Sequence, residues 1–516
     1  MNDKPNQNIA HMRVDAKDTV DLFIIGGGIN GTGIARDASG RGLSVVLCEK
    51  DDLAQGTSSR SGKLVHGGLR YLEYYEFRLV RESLIEREVL LNSAAHIIWP
   101  MRFVLPHSPQ DRPAWLIRLG LFLYDNLGGR KKLPGTRVLN LRNDPKGAPI
   151  KDHFSKGFEY SDCWVDDARL VMLNAIDAAE KGAKILTRTV CNTVRREGDV
   201  WKVEITNSMS DEKSEITARA IVNAGGPWVN DIISRVAGSN STREVLLIKG
   251  SHIVVPKFWD GEQAYLVQNK DKRVIFINPY EGDKALIGTT DIPYEGAPED
   301  VTVDEDEIYY LIAVVNRYFK QKLNRKDVLE SFSGVRPLFD DGKGNPSAVT
   351  RDYVFDLDTN GGAPLLNIFG GKITTFRKLA EQAMHRLDKT FPDMGKDWTA
   401  EAILPGGEFP DADFDGFLKS VLREYPWLPD DLATHYARLY GTRSNEILSR
   451  AGSLDGLGIK FGPLLYQSEV RYLCEKEWAI SVEDILYRRT KHGLHMSNNE
   501  KSKFKVWYEN DSVKSA

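Results

Sequence analysis

Residues 23–33 read FIIGGGINGTG, a short apolar run followed by closely spaced glycines. Gly26 permits a tight turn from strand to helix, Gly28 lets a pyrophosphate approach the backbone, and Gly31 lets the helix pack closely on the strand. The N–H groups at the beginning of that helix then face the phosphates. The pattern predicts the first half of a dinucleotide-binding βαβ unit.

Residues 44–50, SVVLCEK, form the next predicted strand and carry an acid near its end. Glu49 lies about twenty residues beyond the glycines, where an acid binds a ribose hydroxyl. A free 2′-hydroxyl, as in FAD or NAD, fits this acid, whereas the 2′-phosphate of NADP would be repelled. The order of strand, glycines, helix, strand and acid therefore predicts a site for FAD or NAD.

The size and charge of the chain exclude several classes of protein. Its 516 residues are too many for one ordinary core and predict two or three domains. The net charge of −4 offers no basic surface for nucleic acid. Every apolar run is shorter than the roughly 18 residues that a membrane-spanning helix needs. We therefore expect a protein that neither binds nucleic acid nor spans a membrane.

Cysteine use and the first residues indicate a cytoplasmic protein. The 4 cysteines are scattered and form no C-x-x-C pair, which indicates a reducing compartment and no zinc site. Residues 1–19 are polar, carry both signs of charge and resemble neither a signal peptide nor a transit peptide. They predict a flexible tail ahead of the folded region.

The rest of the chain alternates between helical and strand patterns. Residues 76–95 predict a long amphipathic helix, whereas residues 100–165, with frequent Pro and Gly, predict irregular insertions. Residues 243–330 carry short alternating strands, which predict an antiparallel sheet inserted in the nucleotide domain. The predicted fold is α/β, with this substrate sheet interleaved in residues 20–404 and a mostly helical C-terminal domain at residues 405–516.

Further glycine-rich turns distinguish among the dinucleotides. Gly225 follows a predicted strand in TARAIVNAGG, and Gly370 follows another in APLLNIFGG. An extended FAD requires several close backbone approaches far apart in sequence. The turns at Gly26, Gly225 and Gly370 therefore favour a bound FAD over an exchangeable nicotinamide, and they make the nucleotide domain a Rossmann-like FAD-binding domain.

A set of longer motifs occurs in a fixed order along the chain. They are GGGINGTGIARDASGRGLSVVLCEK (26–50), SSRSGKLVHGGLRYLE (58–73), GFEYSDCWVDDARL (157–170), VNAGGPWV (222–229), IKGSHIVVP (248–256), IGTTD (287–291), SGVRPL (333–338), TRDY (350–353) and FGGKITTFRKLAE (369–381). With these motifs the chain resembles the bacterial aerobic glycerol-3-phosphate dehydrogenases from about residue 20 nearly to its end.

The resemblance implies a reaction and an electron acceptor. It implies oxidation of sn-glycerol 3-phosphate to dihydroxyacetone phosphate, with a hydride passing to FAD and electrons passing on to membrane quinone. An oxidase on the same scaffold would pass the electrons to oxygen instead and form peroxide. A non-catalytic flavin-binding protein is a third interpretation, and the substrate-site residues described next argue against it.

Three arginines offer planar guanidinium groups that suit phosphate oxygens. They are Arg70 in GGLRYLE, Arg336 in SGVRPL and Arg351 in TRDY. The resemblance implies that all three line the substrate site, and Arg336 and Arg351 are the best candidates for the phosphate. The alternative is that one or more of them form ion pairs at the surface or between domains.

Oxidation of a secondary alcohol requires a group that accepts the hydroxyl proton. His252 in KGSHIVVP suits this role as a neutral imidazole, although a hydrogen-bonded core histidine is the alternative. Lys372 in FGGKITT competes for the role, or instead polarises the substrate oxygen or stabilises negative charge on the reduced flavin. The predicted catalytic set is His252, Lys372 and Arg336.

The remaining cofactor residues come from two segments. Gly370, Gly371 and Thr374 lie where a returning helix begins and can donate N–H bonds toward the flavin. Four residues of the loop after Glu49 are placed beside the pyrophosphate and the flavin ring, namely Ser58, Ser59, Lys63 and His66. The histidines at positions 66, 96, 107 and 153 lack ligand spacing with one another, so no metal site is predicted.

A quinone acceptor requires contact with a bilayer, and residues 112–132 are the best candidate for it. Trp115, Leu116, Leu119, Phe122 and Leu123 recur at near-helical spacing, and basic residues flank them at positions 112, 118, 130, 131 and 132. Such a helix can lie in the interface plane with its bases on anionic headgroups. A core-packing amphipathic helix is the alternative. The expected location is the inner face of the cytoplasmic membrane, with a homodimer as a candidate assembly.

Overall fold

A computed structural model describes residues 19–108, 112–238, 244–339 and 352–510 of the chain. The tail expected at residues 1–19 lies outside this part apart from Thr19, and Arg351 also lies outside it. The described part contains two large sheets, helices packed against them and a C-terminal group of helices. This arrangement confirms the predicted α/β class with a helical C-terminal part.

The strands are numbered in chain order. They are β1 Thr19–Ile25, β2 Val45–Cys48, β3 Leu64–Val65, β4 Ile98–His107, β5 Arg137–Asn140, β6 Lys156–Val165, β7 Lys184–Leu186, β8 Thr189–Glu197, β9 Val200–Asn207, β10 Lys213–Asn223, β11 Val245–Pro256, β12 Ala264–Gln268, β13 Val274–Tyr280, β14 Lys284–Gly288, β15 Ile292–Pro293, β16 Glu330–Phe339, β17 Tyr353–Asp358 and β18 Leu365–Gly370.

The α-helices are numbered in the same way. They are α1 Ile29–Gly40, α2 Phe77–Ser93, α3 Ala114–Leu127, α4 Asp167–Glu180, α5 Val229–Asp231, α6 Glu305–Tyr318, α7 Phe376–Arg386, α8 Phe414–Glu424, α9 Asp430–Tyr440, α10 Asn445–Leu448, α11 Gln467–Lys476 and α12 Asn498–Asn510.

The first sheet has the strand order β17-β18-β10-β1-β2-β7, and the β8–β9 hairpin extends from β10. Its four central strands, β18, β10, β1 and β2, are parallel, and their apolar side chains form a buried core with α1, α4 and α7. Parallel strands end at the same edge of a sheet. Gly26, Glu49, Gly225 and Gly370 each lie at or directly after one of these strand ends, so the distant glycine turns meet at one edge.

The second sheet has the strand order β15-β11-β14-β13-β12-β4-β6-β3, with β16 paired to β11 and β5 to β6. Strands β11 to β15 come from the region where residues 243–330 predict an antiparallel sheet, and β16 continues this part. The prediction of irregular insertions at residues 100–165 is wrong, because β4 and β6 are ten-residue strands of this sheet. The strands β4 and β6 pair with each other across about fifty residues, and β4 also pairs with the distant β12, so the local Pro and Gly content concealed the pairing.

The helices after residue 405 pack on a core of their own. Leu432, Tyr436, Val470 and Phe504 are buried there, on α9, α11 and α12. Arg169 of α4 joins this group to the first sheet through a buried ion pair with Glu477. The C-terminal helices therefore pack on the nucleotide-binding half of the molecule.

Candidate active site

A cavity of about 930 Å³ runs along the edge where the glycine turns meet and reaches the second sheet. Most of the predicted site residues line it. These are Gly26, Gly28, Glu49, Ser58, His66, Arg70, Gly225, His252, Arg336, Gly370, Gly371, Lys372 and Thr374. The fold therefore brings together residues that are separated by several hundred positions in sequence.

The glycine turn has the backbone shape that its sequence predicts. Gly26 has a φ of +111°, a conformation that L side chains rarely adopt. A Cβ atom on Gly31 would lie 1.9 Å from the carbonyl oxygen of Gly26, so only glycine lets α1 pack on β1. Ser58 Oγ accepts a hydrogen bond of 3.0 Å from the N–H of Ile29, the first residue of α1. The beginning of α1 and the Ser58 hydroxyl thus lie together where a pyrophosphate would bind.

Glu49 stabilises this turn as well as bordering the cavity. Its carboxylate accepts hydrogen bonds from the N–H of Gly27 at 2.7 Å and from the N–H of Asp51 at 2.8 Å. Burial raises the pKa of Glu49, although these two bonds favour the charged form. The acid therefore holds the glycine turn against the following loop in addition to its predicted contact with a ribose.

The Gly370–Gly371 segment approaches α1 closely. Both glycines have positive φ angles, +74° and +102°. Asn30 Nδ2 donates a hydrogen bond of 3.2 Å to the Gly370 carbonyl, while its buried Oδ1 has no hydrogen-bond partner among the described residues. The N–H of His66 donates to Thr374 Oγ1 at 3.2 Å. Asn30 was missed by sequence reasoning, although it lies inside the glycine motif.

Ser59 and Lys63 lie behind the cavity lining instead of on it. Lys63 Nζ forms an ion pair of 2.7 Å with Asp167 and donates to the carbonyl oxygen of Ser59 at 3.1 Å. Asp167, at the beginning of α4, is buried, and its carboxylate requires the positive charge of Lys63. The predicted direct contact of these two residues with the cofactor thus has no support from the geometry.

The register of β11 and β16 places two predicted site residues on one face of the second sheet. His252 pairs with Phe332 and Gly250 pairs with Gly334, and Arg336 follows two residues after Gly334. Directly paired residues and their i+2 neighbours point to the same face. The two glycines leave that face open, so the His252 ring and the Arg336 guanidinium both border the cavity.

Two of the predicted arginines converge on one carboxylate. Arg336 donates hydrogen bonds to Asp291 and, at 2.9 Å, to Thr289 Oγ1. Arg70 Nη1 lies 4.0 Å from the other oxygen of Asp291. Both guanidinium groups are partly exposed to the cavity, where they can bind a dianion bidentately. Sequence reasoning missed Asp291, although it ends the motif IGTTD.

The environment of His252 keeps its imidazole neutral. The ring is buried and stacks on Phe332 with a centroid distance of 5.0 Å. Burial lowers the pKa of His252 to about 3, and the charges of Arg336 and Lys63 lower it further. Its Nδ1 has no hydrogen-bond partner within the described part of the chain. The imidazole is therefore neutral, which is the protonation state that a proton acceptor requires.

Lys372 lines the cavity with its ammonium against an aromatic ring. Its ammonium is 3.9 Å from the ring centroid of Tyr71, which sequence reasoning also missed. Burial lowers the pKa of nearby His66 to about 3, with the charges of Lys372 and Arg87 as further causes. The ammonium of Lys372 thus lies close to the neutral imidazole of His66, and the electrostatic role of Lys372 in the reaction stays a prediction.

An exposed apolar surface surrounds the mouth of the cavity. The helix predicted within residues 112–132 is present as α3, where Trp115 is 69% and Phe122 57% exposed. Tyr75, which is 81% exposed, and Phe77 extend this surface beyond α3. Leu116, Leu119 and Leu123 of α3 belong to the cavity lining. We call these seven residues the mouth surface. No helix in the described ranges is long and apolar enough to cross a membrane.

Comparison with known proteins extends over nearly the whole chain. Residues 21–377 match the family of FAD dependent oxidoreductases, and residues 398–505 match the C-terminal domain of alpha-glycerophosphate oxidase. A D-erythritol 1-phosphate dehydrogenase of Brucella abortus is 70% identical over 96% of this chain and 99% of its own length. The aerobic glycerol-3-phosphate dehydrogenase of Escherichia coli is 50% identical over 95% of this chain and 97% of its own.

A solved structure supports the same assignment. The glycerol-3-phosphate dehydrogenase from Bacillus halodurans, solved in complex with FAD, superimposes with a TM-score of 0.75 and 26% identity over 97% of this chain and 96% of its own. These matches confirm FAD as the cofactor, in agreement with the glycine cradle at Gly26 and Gly31. The chain belongs to the family of FAD-dependent oxidoreductases and, within it, to the group that contains the aerobic glycerol-3-phosphate dehydrogenases.

Proposed function

We propose that the protein oxidises a short polyol phosphate at the secondary hydroxyl next to the phosphomethyl group. The observation that carries this proposal is the convergence of Arg70 and Arg336 at the cavity wall that also holds His252. A phosphate bound by the two guanidinium groups would orient the adjacent carbon toward the imidazole. FAD, when bound, supplies the acceptor for the hydride that leaves this carbon.

D-erythritol 1-phosphate is the preferred substrate in this proposal, and sn-glycerol 3-phosphate is the second candidate. Both carry a secondary hydroxyl beside the phosphomethyl group, and they differ by one hydroxymethylene unit. The 70% identity to the Brucella abortus enzyme supports the four-carbon substrate. The 50% identity to the Escherichia coli enzyme supports glycerol 3-phosphate, whose product would be dihydroxyacetone phosphate.

Arg336 and Arg70 bind the phosphate, and Arg351 remains a proposed third ligand that lies outside the described residues. Asp291 holds the two guanidinium groups in place before the substrate enters, because each contacts one of its oxygens. The phosphate then offers stronger charge-assisted hydrogen bonds to the outward-facing N–H groups. The phosphate itself does not react, and the energy of its binding serves to position the reacting carbon.

His252 accepts the proton of the reacting hydroxyl. Its pKa is low in the free protein because of burial and two cationic neighbours. The negative phosphate offsets the charge of Arg336, so substrate binding increases the proton affinity of the imidazole when the proton is to be accepted. Lys372 supplies a positive charge for the developing negative charge across the cavity.

Membrane quinone is the proposed electron acceptor, with oxygen as the alternative. The mouth surface presents exposed aromatic and leucine side chains directly at the cavity entrance, which suits docking on the inner face of the cytoplasmic membrane. A lipid-soluble acceptor could then reach the cavity without crossing water. A homodimer remains a proposed assembly.

Anaerobic mixing experiments test the substrate. The oxidised protein is mixed with D-erythritol 1-phosphate, sn-glycerol 3-phosphate or unphosphorylated erythritol, and the flavin absorbance is followed. We expect rapid bleaching by both phosphates, with faster flavin reduction by the four-carbon one at equal low concentration, and little bleaching by erythritol. Faster flavin reduction by glycerol 3-phosphate would reverse the order, and bleaching by neither phosphate would refute the function.

Re-oxidation of the reduced protein tests the acceptor. A water-soluble quinone analogue and dissolved oxygen are each added to the bleached enzyme. We expect fast recovery of the flavin absorbance with the quinone and slow recovery with oxygen. Fast recovery with oxygen and stoichiometric peroxide would identify an oxidase.

A further inference from the structure

Three side chains of metal-binding type meet among the C-terminal helices. His435 lies on α9, Glu469 on α11 and His492 in the short turn that precedes α12. One ligand atom of each lies within 4.8 Å of the corresponding atoms of the other two. None of them lines the FAD cavity. The sequence predicts no metal site here because the three residues are far apart and form no known ligand spacing.

The geometry leaves two of the buried ligand atoms without hydrogen bonds. His435 Nε2 lies 2.7 Å from Glu469 Oε1, whereas His492 Nε2 lies 3.6 Å from Glu469 Oε2. The second distance is too long for a hydrogen bond. Within the described residues, Glu469 Oε2 and His492 Nε2 have no other hydrogen-bond partner. Such pairs of unsatisfied buried atoms are rare in native proteins.

Glu469 is also a buried negative charge. It is fully buried, and within the described ranges its ion pairs are confined to the two histidines. A buried carboxylate is unfavourable unless a cation accompanies it. The Tyr440 hydroxyl donates a hydrogen bond of 2.7 Å to Glu469 Oε1, which fixes the carboxylate as outer partners of metal ligands do.

We propose that His435, Glu469 and His492 bind one Zn²⁺ ion through Nε2, a carboxylate oxygen and Nε2. Two imidazole nitrogens and a carboxylate oxygen form a donor set typical of zinc, and a water molecule completes the tetrahedron. Binding replaces the His435–Glu469 hydrogen bond and releases any proton held at the two Nε2 atoms. The ion links α9, α11 and the turn at His492, so it stabilises the C-terminal helices and takes no part in the flavin chemistry.

Metal analysis of the full-length, FAD-loaded protein tests this site. The protein is incubated with excess ZnCl₂, desalted and measured by plasma mass spectrometry. We expect one Zn²⁺ per chain in the wild type, and near zero in Glu469→Gln and in His492→Gln. His435 is less buried than the other two residues, so His435→Gln should disturb folding less and should also bind almost no Zn²⁺. His153→Gln and Glu475→Gln serve as matched controls and should retain the ion.

Thermal unfolding provides a second measurement on the same samples. Zn²⁺ should raise the Tm of the wild type and of both controls, and it should leave the Tm of each ligand variant that folds unchanged. A wild type that binds no Zn²⁺ overturns the proposal. Equal Zn²⁺ retention in the wild type and the ligand variants also overturns it, because the ion would then bind elsewhere.

Discussion

Arg489 donates two hydrogen bonds to Asp52, Nη1 to Oδ2 at 2.7 Å and Nη2 to Oδ1 at 2.8 Å. Both side chains are buried, and Arg488 donates a third bond to Asp52 at 2.5 Å. Asp52 lies between Glu49 and Ser58, in the loop that borders the FAD cavity. The C-terminal part of the chain therefore holds one wall of the cofactor site.

Asp52→Asn should destabilise the protein and weaken FAD binding. The change leaves the buried charge of Arg489 without its acid, and breaking a buried pair costs about 3–5 kcal/mol. Thermal unfolding and FAD release by dilution measure the two effects. Asp283→Asn, at a mostly exposed residue that is paired with Lys284 and does not line the cavity, should leave FAD binding unchanged and change stability by less than about 1 kcal/mol. Equal effects of the two variants would contradict a specific role for Asp52.

Arg336→Ala should weaken substrate binding and leave FAD bound. Loss of a charge-assisted hydrogen bond costs about 1.5–3 kcal/mol, so we expect KM to rise roughly 10- to 150-fold. Steady-state kinetics with either polyol phosphate measure it, and the flavin spectrum checks the cofactor. Arg325→Ala, which removes an exposed ion pair with Glu305, is the control and should leave KM unchanged. A wild-type KM in Arg336→Ala would exclude the phosphate role.

His252→Ala should chiefly slow reduction of the flavin. Removal of a general base lowers a rate by about 10²- to 10⁴-fold, and rapid mixing under anaerobic conditions measures that step directly. Phe332→Leu removes the ring stacked on His252 but retains the imidazole, so its loss should be far smaller. Flavin reduction at the normal rate in His252→Ala would leave Lys372 as the proton acceptor.

Acid should destabilise the fold steeply because several histidines are buried as neutral groups. Burial lowers the pKa of His66, His96 and His252 to about 3, so the unfolded chain binds more protons below pH ~6.5. The contribution of these neutral histidines to the free energy of unfolding is fully present above pH ~6.5, and it is lost as the pH falls toward 3. Each contributes a slope of about 1.4 kcal/mol per pH unit.

His96→Leu tests this linkage away from the active site. Neither ring nitrogen of His96 has a hydrogen-bond partner among the described residues. Replacement by leucine therefore removes the titrating imidazole without breaking a hydrogen bond. Urea unfolding between pH 5 and 7 should give a pH slope lower by about 1.4 kcal/mol per unit below pH ~6. His153→Gln, on the surface, should not alter the slope. An unchanged slope in His96→Leu would show that His96 is protonated in the folded state.

Trp115→Ser combined with Phe122→Ser should reduce binding to lipid vesicles. Both side chains are exposed on α3, and each contributes apolar area to the mouth surface. Flotation with vesicles that contain anionic lipid measures the bound fraction, which we expect to fall at least about tenfold. Val506→Ser removes a 59% exposed residue on α12 and should have no effect. Equal flotation of the double variant would refute docking through this surface.

Local sequence sufficed wherever a residue type was needed for a backbone shape or for a short-range pattern. The glycines at 26 and 31 predict the turn because no other residue tolerates the φ of the first or the close approach at the second. The apolar strand before them and the acid at Glu49 belong to the same compact unit. The helix α3 could be predicted for the same reason, because its apolar side chains recur at a helical spacing within a short segment.

Sequence reasoning failed where a contact joins segments distant in the chain. Asn30 reaches Gly370, Lys63 pairs with Asp167, and no local pattern reveals either contact. The strand β4 pairs with the distant β12, and this pairing could not be predicted from residues 100–165, whose Pro and Gly content indicated irregular structure.

The dinucleotide turn, the α/β class and the types of residue that suit a phosphate and a proton could all be predicted from the order of amino acids. The shared contact of Arg70 and Arg336 with Asp291, the buried neutral state of His252, and the cluster of His435, Glu469 and His492 became apparent only in the folded molecule. The difference arises because backbone shape depends on near neighbours in the chain. Charge, burial and pKa depend on whatever the fold brings into contact.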